Sequence, residues 1–234
     1  MTIFDRLALF TSLDIAAALF LGACWLIIGW VIENPPAARP STSVLMDQYR
    51  KEWMVEALNR DVRIFDAQII ASLRQGTAFF ATTSLFALGA VLALIGNTDP
   101  LQGVAQELTA QEVPIIVWQM KLIVVVLFLT HAFLRFAWSN RMYAYASVML
   151  AAIPNDPNAS LRSRQAGELN KRSTLNFNRG LRSIYFALGT IAWLLGPVPL
   201  FITTLLTVAF MLEREFMSGA RRALLESEMA NDPD

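Results

Sequence analysis

Four apolar blocks, each about as long as a bilayer is thick, dominate this 234-residue chain and leave few folds open to it. A helix needs about 20 mostly apolar residues to cross a hydrocarbon core of about 30 Å, rising about 1.5 Å per residue. The first block runs from about Leu13 to Ile32 and the second from Gly76 to Ile95. The third runs from Ile115 to Ala137 and the fourth from Ile184 to Leu212. The chain therefore reads as all-α: a single membrane domain, a polytopic helical bundle of about four spans. Composition agrees, with 55% hydrophobic residues, 16% charged and a mean hydropathy of +0.45. An ordinary soluble domain carries roughly 25% charged residues. Nineteen basic and nineteen acidic residues cancel, which excludes a generally basic nucleic-acid binder. The one cysteine, Cys24, cannot form an internal disulfide, and the one histidine, His131, excludes a paired-histidine site within one chain.

Two local features qualify the blocks. Gly196-Pro197-Val198-Pro199 removes backbone donors inside the fourth, so the last span is expected to be kinked. A re-entrant hairpin of two half-helices is the alternative. Leu21-Gly22-Ala23-Cys24 looks like a lipoprotein cleavage box, but the apolar run continues to Ile32 and Asp14 interrupts the would-be signal core. The segment is therefore expected to be retained as a span.

Lys and Arg set the orientation. Six lie in 33–75 (Arg39, Arg50, Lys51, Arg60, Arg63, Arg74), seven in 138–183 (Arg141, Arg162, Arg164, Lys171, Arg172, Arg179, Arg182) and none in 96–114. Both basic connections then face the cytoplasm, as in a bacterial inner-membrane protein, with the N-terminus outside. Arg214, Arg221 and Arg222 fall outside on a four-span count, and inside if the last block is a hairpin.

The connections carry helical patterns of their own. Met54, Leu58, Val62, Phe65, Ile69 and Leu73 form an apolar stripe, with Glu56–Arg60 and Arg63–Asp66 spaced for pairs along one helix. With no proline or glycine between the stripe and the second block, one long helix is expected from about Val44 to Ile95. The third span likewise continues through Met142, Tyr145, Met149 and Ile153 until Pro154-Asn155-Asp156-Pro157 ends it. Helical extensions over about 44–75 and 138–183 therefore project into the cytoplasm. On the other side, Leu101, Val104, Ala105 and Leu108 indicate a short amphipathic helix, and Thr109-x-x-Glu112 before Pro114 reads as a capping box.

Ionisable residues inside a span are costly and mark where to look for function. Lys121, His131 and Arg135 fall within roughly 80° of one another on the third span at about 100° per residue. Asp14 enters the first span at the depth of Lys121, and Glu33 leaves it at the depth of Arg135, so two ion pairs are expected. Asp14, Lys121, His131 and Arg135 form a candidate polar seam, either a proton or ion path centred on His131 or a structural lock. A relay needs a further acid near mid-membrane, and the sequence holds none, so the lock is preferred. Arg60, Arg63 and Asp66 form a candidate cytoplasmic charge cluster, most simply a salt bridge. Arg172, Arg179 and Arg182 are candidate contacts for anionic lipid, although the positive-inside bias alone explains them. Trp30 and Trp118 at span ends read as interfacial anchors, and Trp53 as packed on a neighbouring helix or the membrane surface. There is no phosphate-binding glycine loop, nucleophile elbow or Cys-x-x-Cys, and no catalytic residue, cofactor or metal ligand is assigned.

Leu13-Asp14-Ile15-Ala16, Arg50…Trp53-Met54, Arg60…Arg63-Ile64…Asp66 and Gly76-Thr77-Ala78-Phe79-Phe80-Ala81-Thr82-Thr83 follow one another in a recognisable order. Arg135-Phe136-Ala137-Trp138-Ser139, Asn178-Arg179-Gly180-Leu181-Arg182…Tyr185-Phe186, Trp193…Gly196-Pro197 and Arg214-Glu215-Phe216 complete it. Over roughly 13–220 the chain resembles a family of bacterial and plant membrane proteins, domain of unknown function 599. The resemblance implies an integral membrane protein and assigns no activity.

The preferred function is a non-enzymatic accessory or scaffold subunit, packed against membrane lipids and against other membrane subunits or copies of itself. The alternative is a homo-oligomeric ion or small-solute channel or carrier lined by the third-span seam. A lipid-modifying enzyme built on Asp66, Arg60 and Arg63 is the third.

Overall fold

The computed structural model describes residues 9–97, 114–154, 156 and 160–230. The amphipathic segment at Leu101–Leu108 and the Thr109/Glu112 capping box lie outside the described residues. Everything described is helix or connection: α1 (Ser12–Glu33), α2 (Thr42–Glu56), α3 (Ile64–Gly96), α4 (Ile115–Ala151), α5 (Ser160–Ile191), α6 (Pro197–Phe216) and α7 (Gly219–Ala230). Of these, α1, α3 and α4 are long and apolar enough to cross a membrane.

The helix starts follow ordinary capping chemistry. Thr11 and Asp14 form a reciprocal capping box at α1, the Asp14 N–H donating to Thr11 Oγ1 at 3.1 Å and the Thr11 N–H to Asp14 Oδ2 at 3.3 Å. Asn34 ends α1, and Pro35-Pro36 prevents its continuation. Ser41 caps α2, and its buried hydroxyl also donates to the last turn of α1 at Ile32 O, 2.9 Å away.

The helix expected over 44–95 is two helices. A 3-10 turn at Ala57–Asn59 closes α2, Arg60 is extended, and α3 starts at Ile64 running back. No proline or glycine breaks the chain here; side chains do. Asp66 is fully buried and accepts from Trp53 Nε1 at 2.6 Å and from Arg60. Arg63 donates to the carbonyls of Ala57 (2.9 Å), Ile153 (2.5 Å) and Pro154 (3.3 Å). The expected Glu56–Arg60 and Arg63–Asp66 pairs are replaced by this corner.

The last apolar block is likewise not one kinked span. Helix α5 runs unbroken from the basic segment into that block, ends at Ile191 and gives way to a 3-10 turn at Ala192–Leu195. Gly196 then adopts φ 123°, a conformation open to glycine and strained for other residues. Pro197 opens α6 at its first position, where the missing N–H costs nothing. Helix α6 returns antiparallel to α5: Thr203 Oγ1 donates to Gly189 O at 2.9 Å, and Arg214 Nη1 to the Tyr185 hydroxyl at 3.3 Å.

Helix α5 is thus a mast. Along it α4 lies antiparallel, from Tyr143–Thr174 (2.8 Å) past Ser139–Ser173 O (2.7 Å) to Lys121–Trp193 O (2.9 Å). The two helices approach closely at Gly180, where an added Cβ would sit 2.7 Å from the fully buried Phe136 ring. Helix α2 runs beside the first half of α5, with Asn178 reaching Ser43 and Ser163 bonding Met54 O. Helices α1 and α6 flank the second half. Helix α3 packs mainly on α4, where Asn140 donates to Arg74 O and Gln119 to Ile95 O.

Candidate functional site

Two clusters of charge sit at opposite ends of α1. At the Asp14 end, Lys121 Nζ lies 3.8 Å from Asp14 Oδ1 and donates to Trp193 O at 2.9 Å. Trp193 Nε1 donates to the same Asp14 Oδ1 at 2.8 Å, and the Thr11 hydroxyl donates to Oδ2 at 2.6 Å. Asp14 is 7% exposed and Lys121 8%. One acid, one base and their hydrogen-bond partners close on each other, which is the only economical way to bury charge. The sequence could place Asp14 and Lys121 at one depth, but not Trp193, which arrives only because α5 ends there.

At the Glu33 end the expected Glu33–Arg135 pair does not form. Glu33 instead accepts from two arginines of the mast: Arg179 Nε (2.9 Å) and Nη2 (2.5 Å), and Arg182 Nη2 (2.6 Å). The Arg182 guanidinium lies across Gly29, where an added Cβ would meet it at 3.2 Å, so a small residue in the apolar block makes room for it. That glycine was the one sequence signal for the contact. Arg135 turns to neutral partners, donating from Nε to His131 Nε2 (3.1 Å) and from Nη1 to Asn176 Oδ1 (3.0 Å). A guanidinium can only donate, so His131 Nε2 is the acceptor and the ring proton sits on Nδ1. Nδ1 faces Ser183 Oγ at 2.7 Å, and that hydroxyl lies 3.3 Å from Arg179 O. In this arrangement the imidazole is neutral and occupied on both nitrogens.

Two hollows meet at this cluster. A shallow, open groove of about 250 Å³ is lined by Trp25, Leu26, Gly29, Trp30, Glu33, Asn34, His131, Arg135, Arg179 and Arg182. An open cleft of about 940 Å³ shares Glu33, Asn34, Arg179 and Arg182 with it and extends past Ser43, Asp47, Lys51, Lys171 and Asn178. The Glu33–Arg179–Arg182 clamp is the partition between them. Among the described residues, no group of three His, Cys, Asp or Glu is placed to hold a metal ion.

The family model for protein of unknown function, DUF599, matches residues 15–220, from α1 into α7. The chain belongs to this family. Neither a curated protein nor a solved structure matches it.

The remaining candidates of this DUF599 chain fall elsewhere. Arg60, Arg63 and Asp66 form the α2–α3 corner and are committed to it: Asp66 is fully buried, and Arg63 is spent on three carbonyls. Arg172 does not join Arg179 and Arg182. It pairs at 2.6 Å with Glu168, one turn away, on an exposed face. Trp53 is the hydrogen-bond donor to Asp66, Trp30 is exposed, and Trp118 is buried against the chain.

Proposed function

We propose that the chain is a multi-pass protein of the bacterial cytoplasmic membrane that works as a non-enzymatic accessory subunit of a larger membrane assembly. Its Glu33 end faces the cytoplasm. The return of α6 supports that orientation, because Thr42 bonds Glu215 O and Arg221 bonds Pro40 O at the Glu33 end. Arg214, Arg221 and Arg222 then join the other basic residues on one side, in keeping with the positive-inside rule. On this reading the chain crosses five times, by α1, α3, α4, the end of α5 and α6.

The observation that carries the subunit reading is the bare face of α3. Only 6% of its most apolar stretch is buried, against 44% for α4. On this reading lipid covers Phe79 and Phe86, which are exposed on that face. It does not reach Ile64 and Phe65, exposed by 74% and 68%, which lie about 14 Å along the helix beyond Arg74. Large apolar side chains in that position are what a neighbouring subunit covers. The channel reading has less support because Asp14 and Lys121 are enclosed by α1, α4 and the Ala192–Leu195 turn.

Native mass spectrometry of the tagged chain extracted in mild detergent tests this. A fixed stoichiometry with another membrane subunit is expected, and Ile64→Ser/Phe65→Ser releases the chain as a folded monomer. Wild-type protein recovered only as a lone monomer overturns the proposal.

A further inference from the structure

We propose that the shallow groove between α1, α4 and α5 binds a phosphate-type anion, held chiefly by Arg135 and Arg182. The first argument is charge. Three guanidiniums, Arg135, Arg179 and Arg182, converge on it, and Glu33 is the one carboxylate among its walls. His131 adds no negative charge, being neutral and hydrogen-bonded on both nitrogens. Two positive charges are left over at a half-buried site whose α1 wall, Leu26 and Trp30, is apolar and exposed. Charge left uncompensated next to low-dielectric surroundings is unfavourable, and a bound anion removes that cost.

The second argument is unused donors. Glu33 takes two N–H groups of Arg179 and one of Arg182. Arg135 spends Nε and Nη1 on His131 and Asn176, which leaves Nη2 without a partner among the described residues. Arg182 Nε and Nη1 are likewise uncommitted. Trp25, packed edge-on to Phe128 and His131, lines the same groove, and its Nε1 is buried and without an acceptor. Planar guanidinium forks and an indole N–H suit the several oxygens of a phosphate better than a single carboxylate or halide. About 250 Å³ is below the size of most small-molecule pockets and fits one headgroup-sized anion.

The phosphate has two sources, matching the two surroundings of the groove: a phospholipid headgroup entering past Leu26 and Trp30, or a free phosphate entering from the cleft. This inference does not depend on the subunit reading.

The experiment uses the full chain in a neutral detergent, titrated separately with phosphatidylglycerol, phosphatidylcholine, inorganic phosphate and sodium chloride. Binding is followed by native mass spectrometry and thermal unfolding. One retained phosphatidylglycerol per chain, with phosphatidylcholine and phosphate ineffective, assigns the site to anionic lipid. A thermal shift with phosphate and not with chloride assigns it to the soluble anion. In either case Arg135→Gln weakens binding roughly ten- to a hundredfold, the loss of one charge-assisted hydrogen bond. Exposed Arg222→Gln leaves it unchanged. Trp25→Phe keeps the ring contacts, removes only the N–H, and weakens binding several-fold, so it decides the matter if Arg135→Gln does not fold. Binding insensitive to both variants, or no binding by either probe, overturns the proposal.

Discussion

The two ends of α1 bury charge in opposite ways. At the Asp14 end one carboxylate and one ammonium close on each other with Trp193 and Thr11, and nothing is left over. At the Glu33 end three guanidiniums share one carboxylate beside two hollows. The first arrangement balances its charges and ties α1 to α4 and to the Ala192–Leu195 turn. The second has spare donors, spare charge and room. Intramembrane charge is therefore no single signal: the two clusters differ in charge balance and in the donors left over.

Substitutions can break that contrast. Asp14→Ala should do most damage, stranding a buried ammonium and an indole N–H and removing the α1 cap. A loss of about 3–5 kcal/mol is expected in chemical unfolding in detergent. Asp14→Asn combined with Lys121→Met should recover much of it, since both charges leave together. A loss below about 1 kcal/mol for Asp14→Ala would mean the pair is no lock.

Glu33→Gln should cost less, about 1.5–3 kcal/mol, because Arg179 remains partly solvated through the cleft. The sharper expectation is that added phosphatidylglycerol or phosphate restores stability to Glu33→Gln and not to Asp14→Ala. Equal rescue of both would erase the distinction between the ends.

Gly180→Ala tests the wall behind the Glu33 end. A Cβ 2.7 Å from the buried Phe136 ring must push α4 and α5 apart, costing about 1–3 kcal/mol in thermal unfolding. Arg172→Gln should be the smallest effect, within about 0.5 kcal/mol and with no change in anion binding, since its pair with Glu168 is exposed.

How far the sequence reached varies residue by residue. Asp14 and Lys121 could be matched by depth because each lies near the start of an apolar block that must begin at one membrane face. Glu33 could be given a depth too, but its partner could not be read. Arg179 and Arg182 look like part of a basic connection until α5 is seen to run unbroken beneath α1. The turn at 57–63 carries no proline or glycine, so local propensity favours an uninterrupted helix. What reverses the chain is Asp66 meeting Trp53 and Arg60, with Arg63 holding carbonyls of the α4 end. Gly196-Pro197 did announce a break, although a kink and a reversal share that signature.

Hydrophobicity adds up residue by residue along the chain, so the sequence alone determined the helical class and the apolar blocks. Which charge meets which depends on the rotation and register of helices packed far apart in sequence. Only the tertiary structure could turn α3 and α6 back, hand Glu33 to the mast, and leave Arg135 beside a hollow with a donor to spare.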